Sequence, residues 1–471
     1  MTRVEFARTT WIVGAIVVVF HLATAPIYSY HRDEFYYLAS GRRLAWGYVD
    51  HPPLTPFLYR LSDTLFGSSL LGLRVVPALL HGGLVVMTAL LARELGGDTR
   101  AQVAAAIAAA VAPMLLTLGH FLGTVTPEVL IWCAITLFVI RLLNGGDPRL
   151  WLVVGALIGV GLLDKWTTGF LIVGLAVGLL LVPERTVLRT PWLLAGIAVA
   201  LVIWAPNLLW QARHGWPQFE VAEGLRNPGE ALFTAPGALI LSGAAIILAL
   251  PGLWWLIRSP DASHYRSLAI AFGVIVVTVT VTQGKPYYAG AFTPVLFAAG
   301  ATAAVTTSTG WIAAMVAWGV LSAPLAMPLL PLGTVESLRH VNKEVAEMTG
   351  WPQMVAAVDR VYEQHPGATI LASNYSEAGM IELLGDDKGM PQPISGHMTY
   401  WYWGHPSGKS DETIVIGYRE SRLRQWFGDV QLATTFHSPH GIHNEEDGTD
   451  IWVCRDQLVD WDTLWPQIRH F

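Results

Sequence analysis

Residues 150–183 decide the fold class, and they read LWLVVGALIGVGLLDKWTTGFLIVGLAVGLLLVP. The stretch holds two apolar runs, and Asp164 and Lys165 lie between them as its only charged residues. Each run is a candidate membrane span, although both are shorter than the roughly 20 apolar residues that an α-helix typically needs to cross a bilayer. Glycines recur four residues apart, at Gly155 and Gly159 in the first run and at Gly174 and Gly178 in the second, and this spacing lets membrane helices pack closely. The stretch therefore predicts two neighbouring membrane helices with a charged pair at their junction.

The same apolar character extends over most of the chain. Of the 471 residues, 53% are hydrophobic and 14% are charged, whereas charged residues make up roughly 25% of soluble domains, so an ordinary soluble enzyme is excluded. We expect a polytopic α-helical membrane protein with about 11 transmembrane helices. The predicted spans are 10–29, 70–92, 101–118, 127–143, 150–163, 166–183, 192–210, 237–257, 267–282, 289–305 and 311–330.

An odd number of spans places the two chain ends on opposite sides of the membrane. Arginines cluster in alternate loops, which by the positive-inside rule predicts an inside N-terminus and an extracytoplasmic C-terminal segment. These arginines are Arg93, Arg100, Arg141, Arg149, Arg185, Arg189, Arg258 and Arg266. The first outer loop, residues 30–69, departs from the rule because it also contains Arg32, Arg42, Arg43 and Arg60. A function for these outer arginines is therefore expected.

Charge divides the chain into two parts near residue 331. Residues 1–331 contain 19 Lys and Arg against 15 Asp and Glu, whereas residues 332–471 contain 10 against 20. We expect a transmembrane catalytic domain over 1–331 and a small extracytoplasmic α/β domain over 332–471. Its strands are predicted at 368–372, 413–418 and 450–454, and its helices at 376–384 and 421–427. The acidic tail argues against a nucleic acid partner, because phosphate binding needs a basic surface.

The first outer loop carries two adjacent acids, Asp33 and Glu34, followed by Phe-Tyr-Tyr. Carboxylates at a water–lipid boundary beside aromatic rings are partly desolvated, which makes them better general bases. This pattern favours Asp33 and Glu34 as catalytic residues. The alternative is structural, because aspartate is also a common N-cap and Asp33 could begin a helix.

Asp50 and His51 precede two prolines in the same loop. Pro52 restricts His51 to an extended conformation, and the prolines can begin a new helix. This restricted geometry would direct both side chains to one place, which favours a role in substrate binding. The alternative is that Asp50 and His51 lie on an ordinary turn.

Isolated polar residues recur at the predicted outer ends of the spans, where burial is costly and therefore suggests function. Lys285 is followed by Pro286 and two tyrosines, a combination that suits a phosphate or the face of a sugar. We expect an anion-binding site. The residues of this set are His120, Glu128, Asp164, Lys165, Lys285, Tyr287 and Tyr288. Simpler interpretations are that Glu128 is a first-turn acid favoured by the helix dipole and that Lys165 extends to the membrane surface.

Taken together, these motifs resemble a known family. The loop segments are similar to the first external loop of glycosyltransferase family 39, which includes protein O-mannosyltransferases and the lipid A aminoarabinose transferase. They are Asp33-Glu-Phe-Tyr-Tyr37, Trp46-Gly-Tyr48 and Asp50-His-Pro-Pro-Leu54. The likeness continues, in the order expected of bacterial members, through Gly161–Lys165, Trp210–Pro217, Lys285–Tyr288 and Ala372–Gly379.

The resemblance implies a type-C glycosyltransferase fold whose extracytoplasmic cavity binds a polyprenyl-phosphate sugar. It implies that Asp33 deprotonates an acceptor hydroxyl for inverting attack at the anomeric carbon, and that Glu128 corresponds to the second acid of the family. The aminoarabinose enzyme has a glutamate near a metal and a lysine on the lipid phosphate where this chain has Asp50 and His51. The difference leaves a divalent metal open, and no other cofactor is implied.

With histidine at position 51, Lys165 and Lys285 become the cations expected to neutralise a departing lipid phosphate. The implied activity is the transfer of mannose or a related monosaccharide to a glycan, lipid or protein acceptor at the bacterial plasma membrane. The main alternative is a transporter or flippase of a lipid-linked sugar, although transporters typically have charged or broken helices near the middle of the bilayer. A non-catalytic envelope assembly protein is the third interpretation.

Overall fold

The computed structural model describes residues 5–303 and 308–471. Each of the eleven predicted spans coincides with an apolar helix or with a bent pair of apolar helices, although the last two residues of the predicted span 289–305 lie outside the described residues. Among the described residues, five helices are long and apolar enough to cross a membrane. They are Leu70–Glu94, Val125–Leu143, Pro191–Arg213, Ser263–Val281 and Thr309–Ala326.

Two further helix pairs are long and apolar enough together but are bent, with angles of 63° and 110° between their halves. The first bend falls before Pro113, whose ring and missing N–H interrupt helical hydrogen bonding. The second falls at Gly243, which has a positive φ of 55° that glycine adopts without strain. The pairs are Thr99–Val111 with Pro113–His120, and Thr234–Ile240 with Gly243–Arg258. The shorter apolar helices are Thr9–Thr24, Leu150–Leu162, Thr168–Leu180 and Thr293–Thr302.

The helices follow one another along the whole described chain. The α-helices are Thr9–Thr24, Arg32–Arg42, Leu54–Phe66, Leu70–Glu94, Thr99–Val111, Pro113–His120, Val125–Leu143, Leu150–Leu162, Thr168–Leu180, Pro191–Arg213, Pro217–Gly224, Pro228–Ala231, Thr234–Ile240, Ile246–Arg258, Arg266–Val281, Tyr287–Gly290, Thr293–Thr302, Thr309–Ala326, Val335–Leu338, Lys343–Ala346, Trp351–Tyr362, Tyr375–Leu384, Tyr400–Trp403, Glu420–Leu423 and Trp461–Ile468. The 3₁₀-helices are Pro183–Leu188, Gly243–Ala245, Ser263–Tyr265, Leu332–Thr334, Asp386–Lys388 and Pro439–Gly441.

The chain divides into two compact units that do not follow its order. The first unit comprises Met1–Ala25, His51–Thr55 and Arg74–Met327, and the second comprises Pro26–Asp50, Pro56–Leu73 and Pro328–Phe471. Most of the predicted outer loop therefore belongs to the same unit as the acidic C-terminal segment. The assignment of domains to residues 1–331 and 332–471 stays a prediction.

Helices of the first unit pack through glycines. A Cβ added at Gly155 would collide with the backbone of Gly196, and one added at Gly178 would collide with the carbonyl group of Ser267. Both helices of the stretch 150–183 thus lie in backbone contact with later helices. The structure confirms that the glycine spacing in this stretch serves helix packing.

The second unit contains a mixed five-stranded sheet. Its strands are β1 (Thr369–Ala372), β2 (Ile394–Ser395), β3 (Glu412–Ile416), β4 (Phe427–Thr435) and β5 (Asp450–Gln457). Their order in the sheet is β2-β1-β3-β5-β4. Strand β1 runs parallel to β2 and β3, and β5 runs antiparallel to β3 and β4. The helix Tyr375–Leu384 connects β1 to its parallel neighbour β2, as a parallel connection requires.

The sequence predicts this unit in part. Strands β1, β3 and β5 and the helix at 376–384 lie close to their predicted positions. The predicted helix at 421–427 is wrong over its second half, because helix Glu420–Leu423 ends early and Phe427 begins β4. Strand β4 lies at the edge of the sheet with most of its side chains at least half-exposed, so it lacks the clear apolar alternation that predicts a strand.

Candidate active site

The acid pair lies at the start of helix Arg32–Arg42, and the N-cap of this helix is His31 rather than Asp33. The His31 side chain accepts the backbone N–H of Asp33 at 3.2 Å, and Glu34 Oε2 accepts the backbone N–H of His31 at 2.7 Å. These reciprocal bonds form a capping box. Glu34 is buried and engaged in capping, whereas 35% of the Asp33 side chain is exposed. Asp33 is therefore the acid of this pair that can reach a substrate.

Asp33 accepts a hydrogen bond from a residue far along the chain. The hydroxyl of Tyr375 lies 2.8 Å from Oδ1 of Asp33. Burial, and then the negative charge of Asp33, raise the pKa of Tyr375 well above its ordinary value, so the phenol stays protonated and donates. No sequence pattern singled out Tyr375, although it lies within the stretch Ala372–Gly379 that carries part of the family resemblance.

Tyr375 is fixed by the helix that it begins. The preceding residue, Asn374, is the N-cap of helix Tyr375–Leu384 and forms a second capping box. Farther along this helix, a Cβ added at Gly379 would lie 2.7 Å from the Cβ of Phe35. The helix therefore packs on the helix of the acid pair at a distance that only glycine allows.

Asp50 accepts a hydrogen bond from a second tyrosine. The hydroxyl oxygen of Tyr36 lies 2.7 Å from Asp50 Oδ1 and 2.7 Å from Thr399 Oγ1. A carboxylate only accepts and a hydroxyl carries one proton, so Tyr36 donates to Asp50 and Thr399 donates to Tyr36. Thr399 Oγ1 also accepts the backbone N–H of Val49 at 3.0 Å. Burial and the charge of Asp50 raise the pKa of Tyr36 well above its ordinary value, which keeps this phenol protonated.

The two tyrosines form a stacked pair. The ring centroids of Tyr36 and Tyr375 lie 4.6 Å apart with 26° between their planes. The His397 ring stacks on Tyr375 at 5.0 Å, and its Nδ1 accepts the backbone N–H of Tyr375 at 3.2 Å. Burial and then the charge of His470 lower the pKa of His397 to about 3, so its imidazole is neutral and can accept at neutral pH. Residues of the C-terminal segment thus orient both loop acids.

Three of the four outer-loop arginines, Arg32, Arg42 and Arg43, pair with acids of the C-terminal segment. Arg32 forms an ion pair with Glu445. Arg43 Nη1 lies 2.8 Å from Oε1 of Glu382, and Arg42 lies 3.9 Å from the same oxygen. This pairing gives a physical reason for the arginines that depart from the positive-inside pattern, because they balance acidic residues within the second unit.

In the first unit, a lysine, an acid and two tyrosines of the predicted binding set lie together. Lys165 Nζ lies 3.6 Å from Glu128 Oε2, and Glu128 Oε1 accepts the hydroxyl of Thr167. The same ammonium group lies 4.5 Å from the ring centroid of Tyr288 and 5.2 Å from that of Tyr287. These distances are within the range of cation–π interaction. Lys165 thus lies beside two phenols, and its acidic partner is Glu128.

Asp164 anchors the segment His51–Thr55, which contains the two prolines. Asp164 Oδ1 accepts the hydroxyl of Thr55 at 2.8 Å, and the carbonyl oxygen of Leu163 accepts the N–H of Leu54 at 2.8 Å. Asp164 is fully buried, and its Oδ2 has no hydrogen-bond partner among the described residues. The segment is therefore fixed at the junction of the two short helices of residues 150–183.

The other predicted residues of the first unit have different surroundings. His120 is buried, and its Nε2 lies 3.0 Å from the guanidinium group of Arg74, a buried cation that no motif indicated. His51 is buried with Nδ1 3.1 Å from the carbonyl oxygen of Pro52. Lys285 is half-buried and, within residues 5–303 and 308–471, has no ion-pair partner. Lys285 is therefore well suited to bind an external anion.

The residues present do not form an evident metal site. Nowhere in the described part of the chain are three or more His, Cys, Asp or Glu side chains grouped so that they could bind a metal ion. Asp50, the residue for which the resemblance left a metal open, accepts a hydrogen bond from Tyr36. We therefore derive no chemical step through a metal.

Residues 50–210 match the family described as dolichyl-phosphate-mannose-protein mannosyltransferase. Over 175 residues, 35% of this chain, the sequence is 25% identical to undecaprenyl phosphate-alpha-4-amino-4-deoxy-L-arabinose arabinosyl transferase of Pseudomonas savastanoi pv. phaseolicola. That alignment spans 27% of the relative's length.

The fold is similar to solved structures over almost the whole chain. A crystal structure of ArnT from Cupriavidus metallidurans bound to undecaprenyl phosphate superposes with a TM-score of 0.62 at 17% identity, covering 95% of this chain and 98% of that one. The arabinofuranosyltransferase AftD from Mycobacteria superposes with a TM-score of 0.55 at 14% identity, covering 96% of this chain and 40% of that one. The predicted fold is thus confirmed: the chain is a polytopic α-helical protein with the type-C glycosyltransferase fold, and the match over residues 50–210 agrees with the predicted resemblance to glycosyltransferase family 39.

Proposed function

We propose that this chain is a membrane glycosyltransferase that moves a monosaccharide, mannose or a related sugar including a pentose, from a polyprenyl-phosphate donor to an extracytoplasmic acceptor with inversion. The observation that carries the proposal is the state of Asp33. Its side chain is 35% exposed, is not used for helix capping, and accepts a hydrogen bond from the buried phenol of Tyr375. The family match and the names of the similar proteins support a lipid-phosphate sugar as donor.

The proposed reaction balances with residues of this chain. Asp33 takes the proton of the acceptor hydroxyl while the hydroxyl oxygen attacks the anomeric carbon from the side opposite the phosphate. The bond from the anomeric carbon to the phosphate oxygen breaks, and its electron pair stays on that oxygen. The products are a glycoside of inverted configuration and a polyprenyl phosphate, and the proton remains on Asp33 until solvent removes it.

The departing phosphate gains negative charge, and cations that bind it lower the barrier. We assign this role to Lys285 and Lys165. Lys285 has no acidic partner among the residues that the structure describes, so its full charge is available. Lys165 shares its charge with Glu128 at 3.6 Å and lies beside the phenols of Tyr287 and Tyr288.

The remaining predicted residues have two kinds of proposed role: Asp50 contacts the substrate, and the others support the binding region or the helix of the base. Asp50, oriented by Tyr36, is suited to accept a hydrogen bond from a sugar or acceptor hydroxyl. His51 and His120 are buried, and we assign them to shaping the binding region in the first unit. Glu34 is proposed to support catalysis through the helix start that it caps. The acceptor class is a glycan, a lipid or a protein.

The test uses the full-length purified protein in lipid vesicles with radiolabelled polyprenyl-phosphate mannose and, in parallel, a polyprenyl-phosphate pentose. The acceptor is an envelope extract from a strain that lacks the protein. We expect a labelled glycoside whose anomeric configuration is opposite to that of the donor, with one polyprenyl phosphate released for each bond formed. Retained configuration would contradict the single-base mechanism. Absence of transfer from both classes of donor would contradict the proposed function.

A flippase of a lipid-linked sugar is the second candidate, because broken and charged helices are typical of transporters. The bent helix pairs and the buried Arg74–His120 contact of the first unit are observations of this kind. The assay in lipid vesicles with the labelled donor distinguishes transfer from flipping. Movement of the labelled lipid between leaflets without any new glycosidic bond would favour the flippase.

A further inference from the structure

Asp33 and Asp50 of the second unit are each oriented by a phenol, and the two phenols are in contact with each other. Tyr375 donates to Asp33 and Tyr36 donates to Asp50, while their rings stack at 4.6 Å. Tyr375 belongs to the C-terminal segment, and Asp33 belongs to the loop after the first predicted span. An exposed aspartate on its own can adopt several rotamers, so its oxygen atoms need a partner before they can face one substrate atom.

We propose that Tyr375 is a positioning residue for the general base Asp33, supplied by the C-terminal segment to the loop. This inference rests on the proposed function. The phenol fixes Oδ1 of Asp33 and leaves Oδ2 as the oxygen that takes the proton. The C-terminal segment then contributes directly to the catalytic rate rather than only to stability or acceptor choice.

The surroundings of Tyr375 restrict its own movement. Its ring stacks on the rings of Tyr36 and His397. Its backbone N–H donates to His397 Nδ1. The capping box at Asn374 fixes the first turn of its helix, and Gly379 brings that helix onto Phe35. The phenol hydroxyl therefore has one well-defined direction, toward Asp33.

The rest of the network extends the same arrangement to Asp50. Thr399 donates to Tyr36, and Tyr36 donates to Asp50, so the C-terminal segment also orients the second acid through one intervening phenol. Removal of the Thr399 hydroxyl should disturb Asp50 without removing the bond between Tyr375 and Asp33. The variants Thr399→Ser and Thr399→Val separate the hydroxyl from the shape of the side chain, since only serine keeps the donor.

The variant Tyr375→Phe removes the hydroxyl and keeps the stacked ring. A hydrogen bond to a charged group corresponds to a factor of roughly ten to one hundred in rate when it acts in the transition state. We expect kcat to fall by about this factor, with the KM for the polyprenyl-phosphate sugar unchanged because the proposed role of Tyr375 is to orient Asp33 and not to bind the donor. A purely structural loss would instead lower the amount of folded protein and leave kcat per folded molecule unchanged.

Tyr418→Phe is the matched control. Tyr418 belongs to the same unit, and its buried hydroxyl has no hydrogen-bond partner among the described residues. We expect wild-type kcat and KM for this variant. The folded fraction of each variant is measured in the same detergent by size exclusion and thermal unfolding, so that rates refer to folded molecules.

A double-mutant cycle completes the test. If Tyr375 acts through Asp33, Tyr375→Phe should have little further effect on the residual transfer of Asp33→Asn, because the base that it positions is already absent. Equal losses from Tyr375→Phe in the wild-type and Asp33→Asn backgrounds would overturn the inference, as would wild-type kcat in the single variant. These outcomes require an active wild type. A wild type that transfers no sugar overturns the proposed function itself, and with it the positioning role.

Discussion

Tyr375 donates a 2.8 Å hydrogen bond to Asp33 across a separation of 342 residues in the sequence. The ion pairs of Arg32 and Arg43 with acids of the C-terminal segment connect the same two parts of the chain. The acidic segment and most of the loop therefore form one compact unit. This relationship predicts that changes in the C-terminal segment alter the behaviour of the loop acids.

The close packing at Gly379 should be essential to the position of Tyr375. In Gly379→Ala, the new Cβ would lie 2.7 Å from the Cβ of Phe35 and 2.9 Å from its backbone carbon, and overpacking of this kind costs about 1–3 kcal/mol. We expect a lower Tm and slower transfer. Gly333→Ala in the same unit is the control, because no atom lies within 4 Å of its added Cβ. Equal Tm values for the two variants would contradict the packing argument.

Lys285 should act on donor binding and on the departing phosphate. Lys285→Gln removes a charge that has no acidic partner in the described ranges, so we expect the KM for the donor to rise by roughly tenfold or more, as for a lost charge-assisted hydrogen bond. Lys285→Arg should retain much of the affinity. Lys388→Gln, which breaks only a surface pair with Asp359, should leave the KM unchanged. An unchanged KM for Lys285→Gln would remove this lysine from the site.

Glu128 and Lys165 should depend on each other for stability. Loss of one member of a buried ion pair costs about 3–5 kcal/mol, because it leaves an uncompensated charge. Lys165→Gln and Glu128→Gln should each lower the Tm by several degrees, and the double variant should be less destabilised than the sum. Arg141→Gln, which breaks a more exposed pair with Glu94 at 3.0 Å, should have a smaller effect. Additive losses at Glu128 and Lys165 would show that the pair is not coupled.

His31 should make the stability of the second unit depend on pH. Burial alone would lower its pKa, but the hydrogen bond to Glu344 and the charge of Asp33 raise the pKa of His31 overall. A raised pKa in the folded state stabilises the protein below the ordinary histidine value of about 6.5 and loses this contribution as pH rises through the folded-state pKa.

The variant His31→Asn tests this sign, because asparagine is also a good N-cap but does not titrate. We expect the Tm difference between wild type and His31→Asn to be larger at acidic pH than at alkaline pH. Thermal unfolding across this range in one detergent measures it. A difference that is constant, or that grows with pH, would contradict the assigned contacts of His31.

The spans were predictable from sequence because the apolar composition of one continuous segment is enough to identify a membrane helix. The same holds for Asp164 and Lys165, whose position between two short runs places them at a helix junction. The partners of the outer arginines were not predictable in this way. Arg43 contacts Glu382 only in the folded protein, because the two residues are 339 positions apart in the sequence. The sequence shows only that such arginines are unusual in an outer loop.

The candidate site was predictable as a set of residue types but not as roles. Glu34 beside Asp33 is equally typical of catalysis and of a capping box, and only the hydrogen bond to His31 shows that it caps the helix. Tyr375 lies in a stretch that carries part of the family resemblance, but nothing local indicated its role, because its partner Asp33 lies in another part of the chain. Edge strand β4 was missed because its exposed side chains follow no apolar pattern.

The central claim is that Asp33 is the base of a glycosyl transfer, and the most direct measurement is the rate at which purified protein converts a labelled polyprenyl-phosphate sugar into glycoside and polyprenyl phosphate. For Asp33→Asn we predict a fall in kcat of roughly 10²–10⁴-fold, as for loss of a general base, with the folded fraction unchanged. Asp387→Asn, a change at an exposed residue of the second unit, should match wild type. Near wild-type turnover by folded Asp33→Asn would contradict the claim.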